Sequence, residues 1–339
     1  KKIRMEKIYT SLGLMSGTSM DGVDASIIKS NGEDNYEVIF DQYFKYDDEI
    51  YEELVDIRSK INSSKDLEDN SVALTNIERK ITLFHASVCK RIISDNSINI
   101  DLIGFHGQTI FHNPNEKISK QLGDANLLSA LLKKKVIYNF RENDICNGGQ
   151  GAPLAPIFHQ LLINQNQIRL PTYILNVGGI ANITIVSSED FNNLRSYDIG
   201  PGNCLLDEWV RKNSEERFDK NGKLAQAGKT DEIILNQAID NFDSIKNKNK
   251  LSFDVKDFDL NFVRGLSLKD GLSTLTDFTA TIIYQSIINS VNLDEGIKLN
   301  ILICGGGRKN LSLINSIKAK LPSNMKLSLI DDYKINGDF

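Results

Sequence analysis

The sequence predicts an α/β protein built from two duplicated lobes that face each other across a central cleft. Three observations carry that expectation. An apolar run over residues 8–15 breaks into Ser16-Gly17-Thr18-Ser19-Met20-Asp21-Gly22 and resumes over 23–28, the pattern of a strand, a tight loop and a second strand. The same unit returns in the other half, where the run 173–177 breaks at Gly178-Gly179 and resumes over 180–186. A third glycine cluster, Gly305-Gly306-Gly307, follows the apolar residues 301–303 and precedes a helical pattern over 311–321.

Loops of this composition suit anions. Glycines let backbone N–H groups come close, Thr18 and Ser19 can donate to phosphate oxygens, and Asp21 or Asp24 can hold a hydrated magnesium ion. The expected cargo is ATP. Taken alone, a Gly/Ser/Thr/Asp turn between two strands is more often just a hairpin, and it is the second copy that favours a phosphate loop. At the third cluster, three positions without side chains let a flat ring or a ribose lie against backbone at a helix N-terminus. No Gly-x4-Gly-Lys-Ser/Thr string is present, which argues against a P-loop nucleotidase, and no Gly-x-Gly-x-x-Gly opens a helix, which argues against a dinucleotide-dependent oxidoreductase.

Composition narrows the class. A chain of 339 residues is long enough to divide into two domains, and 40% hydrophobic with 25% charged residues is ordinary for a globular enzyme. A net charge of −5 argues against a nucleic-acid surface; Lys133-Lys134-Lys135 and the Lys/Asn stretch at 246–250 read as solvated faces. No apolar stretch approaches the ~20 residues that span a bilayer, and the N-terminus has no apolar core or cleavage site of a signal peptide, so a cytoplasmic enzyme is expected. Four cysteines (89, 146, 204, 304) and four histidines (85, 106, 112, 159) lack metal-site spacing, and reduced structural thiols are expected.

Along the chain, paired strands run to about residue 43, then helical periodicity covers 50–61 and 72–93. A buried strand over 98–105 leads into His106-Gly107-Gln108-Thr109. Asp124 or Asn126 is placed to cap a helix over 127–134, and 136–138 returns as a strand. The first lobe is expected to span residues 1–140, completed by 325–339, and the second 141–324. In the second lobe a turn-rich segment, 147–156, runs into a helix over 157–163. Residues 190–196 and 242–250 read as surface loops, and 276–291 as a core helix with Phe278, Ile282, Ile283 and Ile287 on one face.

Two phosphate hairpins and a late Gly-Gly-Gly turn resemble the actin, hexokinase and Hsp70 type of ATPase, a ribonuclease H-like fold. The resemblance sharpens at particular strings. Residues Gly13 to Asp24, Phe105 to Thr109, Phe140-Arg141 with Asp144, Gly148 to Leu154, Leu175 to Asn182, Tyr197 to Asn203 and Cys304 to Gly307 are similar, in order, to motifs of the anhydro-N-acetylmuramic acid kinases. They span most of the chain.

The resemblance implies an ATP- and Mg2+-dependent kinase in which water opens the bridge of 1,6-anhydro-N-acetylmuramic acid and the freed O6 takes the γ-phosphoryl group, in peptidoglycan recycling. It implies ATP binding by Gly17, Thr18, Ser19, Met20, Asp21, Gly22, Val23 and Asp24, by Asn176, Gly178, Gly179 and Asn182, and by Gly305, Gly306 and Gly307. Asp21 and Asp24 are the metal candidates, and a homodimer is implied. From the residues alone Asp198 is either a general base beside Gly200-Pro201-Gly202 or the cap of the helix through Leu205 and Trp209; the resemblance implies the base.

A lactyl carboxylate in the substrate calls for a cation, and Arg141 suits it because a guanidinium binds a carboxylate through two hydrogen bonds. His106 and Gln108 are expected to reach sugar hydroxyls, with Gly202 and Asn203 also at the substrate. Asp144 has three open roles: orienting Arg141, binding a water, or capping the Gly148-Gly149-Gln150-Gly151 turn. The alternatives to this kinase are another hexokinase-type sugar kinase and an inert nucleotide-binding relative.

Two departures from the family are expected to bear on activity. The resemblance implies a further helix beyond Asn336-Gly337-Asp338, with an early glutamate at the substrate, whereas this chain ends at Phe339. Before Asn261, Lys250-Leu251-Ser252-Phe253-Asp254 differs from the usual string, which puts any sugar contact there in doubt. The natural start is expected at Met5.

Overall fold

A computed structural model describes residues 7–17, 19–246, 253–291 and 298–338. The chain divides into two compact units, the first running to Gly151 and the second from Ala152 to Asp338. Thr18 and Lys250-Leu251-Ser252 lie outside the described residues.

The first unit holds β1 (Tyr9–Ser16), β2 (Gly22–Ser30), β3 (Tyr36–Lys45), β4 (Leu102–Asn113), β5 (Ile118–Leu122) and β6 (Lys135–Tyr138). Their order is β3-β2-β1-β4-β5, with β6 also paired to β4. β1, β2 and β3 are antiparallel neighbours, while β4 runs parallel to β1 and to β6. In the second unit β7 (Thr172–Val177), β8 (Ile180–Val186), β9 (Arg195–Pro201), β10 (Leu299–Cys304) and β11 (Met325–Leu329) form a sheet in the order β11-β10-β7-β8-β9. Here β7, β8 and β9 are antiparallel, and β10 runs parallel to β7 and β11. The order β3-β2-β1-β4-β6 thus repeats as β9-β8-β7-β10-β11, strand for strand and with the same directions. β5 is the addition. The duplicated α/β plan is borne out, with each glycine loop joining the first two strands of its repeat.

Parallel neighbours need crossovers, and helices supply them. In the first unit these are α1 (Asp48–Lys60), the short α2 (Ser64–Asp69), α3 (Ser71–Asn96) and α4 (Ala125–Leu132), and a short α5 (Glu142–Cys146) follows β6. Asp47 caps α1 by accepting from the Ile50 N–H at 2.8 Å, and Asp124 caps α4 through the Leu127 N–H at 2.9 Å. The buried stripe Leu74, Ile77, Ile81, His85, Val88, Cys89 and Ile92 recurs every three or four residues along α3. It packs into a core with Leu12, Leu14, Val23, Ala25, Ile27 and Ile103.

The second unit has α6 (Pro156–Gln165), α7 (Cys204–Asn213), α8 (Lys223–Gln226), α9 (Glu232–Lys246), α10 (Leu268–Ser290) and α11 (Leu311–Lys320). α10 buries Leu272, Leu275, Phe278, Ile282, Ile283 and Ile287 against α7, α9 and the sheet. It begins at Leu268, earlier than the periodicity alone marks, because Ser267 caps it through the Asp270 N–H. Residues 242–246, read as loop from their polar composition, continue α9, and β9 starts within the predicted 190–196 loop. The strand read over 98–105 begins at Leu102 and continues to Asn113.

Two expected boundaries are corrected. Residues 141–151 belong with the first unit, because Arg141 bonds to His106, 35 residues earlier. Residues 325–338 belong with the second, because β11 adds to β10. All four cysteines are free, and among the described residues no helix is long and apolar enough to cross a membrane.

Gly271 allows α10 to cross α7 closely: a Cβ there would sit 2.6 Å from Cε2 and Nε1 of Trp209, whose indole N–H donates to the Leu268 carbonyl at 3.0 Å. In an open helix Gly→Ala stabilises by about 1 kcal/mol. Here the forced shift of a buried indole should reverse the sign, so that Gly271→Ala destabilises by about 1–3 kcal/mol in urea unfolding followed by the fluorescence of the sole tryptophan. A gain in stability would show that the ring has room to move.

Candidate active site

The first glycine loop is held mainly by its surroundings. The Met20 N–H donates to the Gly17 carbonyl at 3.2 Å to close the turn, with Met20 in the left-handed region at φ 57°. The Gln108 amide also donates to Gly17 O at 2.9 Å, and the Tyr46 N–H donates to Asp21 O at 2.8 Å. The Ser19 hydroxyl donates to Asp21 Oδ1 at 2.5 Å. Gly22 fits where a Cβ would lie 2.4 Å from Phe44 O, and the Val23 side chain is fully buried in the core, so only its backbone can serve a ligand.

Asp21 and Asp24 share a neighbourhood. Burial, then the Asp21 charge and a hydrogen bond to it, and then the Asp24 charge, push the Tyr43 hydroxyl well above its usual range. Magnesium bound with a nucleotide keeps several waters and takes one or two protein carboxylates, so this pair fits the ion's donor needs. Among the described residues no cluster of three or more His, Cys, Asp or Glu is assembled.

The second loop is held by backbone. The N–H groups of Gly202, Asn203 and Cys204 donate to the carbonyls of Gly179, Gly178 and Gly179 at 2.9, 2.8 and 3.1 Å. Asn203 and Cys204 are the N-cap and first residue of α7, so two of the free amides at the helix start are satisfied by the glycine turn itself. Asn203 is the N-cap residue, and its side-chain amide donates to Val177 O at 3.3 Å. Gly202 and Asn203, expected at the substrate, are therefore fastened to the second hairpin.

The Gly-Gly-Gly turn follows β10 and packs on the same hairpin. Gly305 has φ 77°, and a Cβ on it would lie 2.4 Å from Asn176 Oδ1; one on Gly307 would lie 2.3 Å from Val177 Cγ1. Two of the three glycines thus answer to close packing. Gly306 alone is open, its nearest neighbour Asn203 Nδ2 at 3.9 Å. The turn continues as a short 3₁₀ segment, Gly306–Lys309, and Asn310 caps α11. Arg308 is buried there, with its guanidinium on Asp331 at 2.7 Å and Asp338 at 2.6 Å.

Asp198 stands on β9 directly across from Asn182 on β8. It does not cap α7, which begins at Cys204 with Asn203 before it. Its Oδ2 accepts the Phe253 N–H at 2.9 Å, which orients the carboxylate.

In the first unit, Arg141 meets His106 through Nε at 3.2 Å and Nη2 at 2.9 Å, both on Nε2 of the ring. His106 Nδ1 lies 2.7 Å from Gly107 O, an acceptor only, so Nδ1 carries the proton and Nε2 accepts from the guanidinium. Both ring nitrogens are engaged. His106, expected at a sugar hydroxyl, thus holds the Arg141 guanidinium in this structure. Gln108, also expected at the sugar, is fully buried and braces Gly17, while its Oε1 has no partner. Asp144 takes the third of its readings: Oδ2 accepts the Gly151 N–H at 2.7 Å and closes the glycine turn.

Sequence reading missed Tyr46 and His85, which meet at Ser16 beneath the first loop. Separations of 30 and 69 residues leave no local signal for that meeting.

Burial, and for His106 also the Arg141 charge, holds the rings of His85, His106 and His159 down to about 4, from an ordinary 6.5. A histidine whose folded pKa is depressed contributes stability that is complete above the unfolded value and lost as pH falls towards the folded one. Denaturant midpoints should therefore decline from pH 6.5 to 4, and His159→Gln should flatten the decline; an unchanged slope would show that this ring protonates freely in the fold.

Comparison with known proteins adds to this geometry. The family model for anhydro-N-acetylmuramic acid kinase matches residues 9–339. A curated anhydro-N-acetylmuramic acid kinase of Pelagibacter ubique is 67% identical over 335 residues, covering 99% of this chain and 89% of that protein. Another, from Rhodopseudomonas palustris, is 35% identical over 92% of this chain and 84% of its own. Among solved structures, (R)-2-hydroxyglutaryl-CoA dehydratase component A of Acidaminococcus fermentans is similar at a TM-score of 0.47 and 10% identity, covering 94% of this chain and 92% of that one.

Proposed function

The chain belongs to the anhydro-N-acetylmuramic acid kinase family, and from that premise we propose that it opens the 1,6-anhydro bridge with water and passes the γ-phosphoryl group of ATP to the freed O6. The observation that carries this reading is Asp198 on β9, oriented by the Phe253 N–H and facing Asn182 on the second glycine hairpin. Carboxylate and glycine turn are thereby borne by adjacent strands of one sheet.

In this mechanism Asp198 accepts a proton from water as the water oxygen bonds to the anomeric carbon. The C1–O6 bond breaks, O6 attacks the γ-phosphorus, and ADP leaves with the bridging oxygen. The products are N-acetylmuramic acid 6-phosphate and ADP. Such a base contributes about 10² to 10⁴ in rate, and the phosphoryl step needs mainly positioning and charge neutralisation. The glycine turns would cradle the phosphates, with Asp21 and Asp24 holding hydrated magnesium, which offsets phosphate charge.

Arg141 would bind the lactyl carboxylate. Its guanidinium is pre-oriented by neutral His106, so less side-chain freedom is lost when the substrate arrives. This reading puts the reaction in peptidoglycan recycling in the cytoplasm, with the enzyme as a homodimer.

Asp198→Asn should keep nucleotide affinity and lower kcat by at least ~10²-fold; near-normal turnover would remove Asp198 from the role. With Mg-ATP and the anhydro sugar in ¹⁸O-water, mass spectrometry should find one heavy oxygen in the sugar phosphate, at the anomeric position. Unlabelled phosphorylated sugar would indicate direct phosphorylation of an existing hydroxyl instead. Arg141→Lys should raise the sugar KM by about 10- to 100-fold with the ATP KM within twofold, since an ammonium cannot reproduce the paired hydrogen bonds. A matching rise in the ATP KM would assign Arg141 to the nucleotide.

A further inference from the structure

Beneath the first glycine loop lies a buried polar chain that the reaction above does not use. Ser16, the last residue of β1, is 1% exposed, Tyr46 1% and His85 0%. Ser16 Oγ lies 2.9 Å from the Tyr46 hydroxyl and 3.3 Å from His85 Nε2. His85 Nδ1 lies 2.8 Å from the carbonyl of Ile81, one turn earlier on α3.

The direction of this chain follows from elementary chemistry. A carbonyl can only accept, so Nδ1 carries the ring proton and, in the neutral ring, Nε2 is an acceptor. Ser16 must then donate to His85, which leaves its oxygen to accept the Tyr46 O–H. No reversal is open to it while the ring stays neutral, and burial beside Phe84 and Phe105 keeps it so.

Tyr46 also grips the far end of the same loop, for its backbone N–H donates to Asp21 O at 2.8 Å. One residue therefore holds both ends of the loop, by hydroxyl at Ser16 and by amide at Asp21, and His85 on α3 sets the hydroxyl of Ser16 to receive it. We propose that Tyr46 and His85 are positioning residues that set the span of the first glycine loop, through Ser16, for the phosphates of the nucleotide. The inference rests on the reading of that loop as a phosphate site. Neither side chain touches the ligand; each acts by holding the loop's backbone in register.

Tyr46→Phe removes one hydroxyl and leaves the ring and the amide in place. His85→Phe keeps a ring without nitrogens, and His85→Gln restores an acceptor within reach of Ser16. Steady-state kinetics with Mg-ATP and the anhydro sugar, with calorimetry of ADP binding, should show the ATP KM and the ADP dissociation constant raised about tenfold in Tyr46→Phe and His85→Phe. kcat and the sugar KM should stay within twofold, and His85→Gln should recover most of the nucleotide affinity. Lower melting temperatures with unchanged nucleotide affinity would make the chain merely structural and overturn the proposal. Should His85→Phe fail to fold, Tyr46→Phe decides the matter in the same way. Thr18→Ala and Ser19→Ala separate the two layers of the argument. If they weaken nucleotide binding while Tyr46→Phe does not, the positioning role alone falls; if they too leave it unchanged, the loop is not the phosphate site and the proposal falls with that reading.

Discussion

No atom larger than hydrogen fits on Gly202 where it meets the second glycine turn: a Cβ would lie 2.3 Å from Gly178 O. That close approach lets the first amides of α7 reach the carbonyls of Gly178 and Gly179, and much of the second unit's site follows from it. The turn is pinned, α7 starts at a set place, and Asn203 lies against Val177. On the other side of the hairpin Gly305 and Gly307 come down on Asn176 and Val177 with the same intolerance of a side chain. Glycines that read as room for a ligand are, at three of these positions, room for the protein's own atoms.

The two repeats share strand order and direction but secure their loops by different means. In the second, backbone carbonyls of the turn receive backbone amides of the following helix. In the first, the loop is met by side chains from distant segments, the Gln108 amide on Gly17 and the Tyr46 and His85 groups on Ser16. A helix N-terminus carries its unsatisfied N–H groups wherever it goes, so the second arrangement needs only the right chain geometry. The first needs particular buried polar side chains, each of which must be fully partnered to be tolerated. Gln108, with an orphaned Oε1, is the exception beside the loop.

Neutral histidine recurs as an acceptor in this protein. His85 and His106 each commit Nδ1 to a backbone carbonyl and present Nε2, one to a serine hydroxyl and the other to a guanidinium. Burial removes the competing charged form, which makes the ring a one-directional element rather than a titrating one. The outcome differs with the partner: on Ser16 it orders a loop, and on Arg141 it aims a cation.

The strand-glycine-strand units, the helical stripes, the Asp124 cap and the motif order were legible in the sequence because each is a local pattern: alternation around a break, a three-to-four repeat, an Asp three residues before an amide. Those patterns determined the duplicated α/β plan and the family. Asp198 was legible as a candidate, and its competing role as a helix cap was not separable from it, since both readings share the same neighbours in the chain. Tertiary structure removed the cap reading by starting α7 at Cys204 and giving Asp198 the Phe253 N–H, 55 residues away. It likewise decided that β11 joins β10, that residues 141–151 stay with His106, and that His106, Gln108 and Asp144 bond to Arg141, Gly17 and Gly151. These depend on which atoms meet across separations of seven to 91 residues. Residue type and spacing state what a side chain can bond to; only the folded backbone states which partner is within about 3 Å.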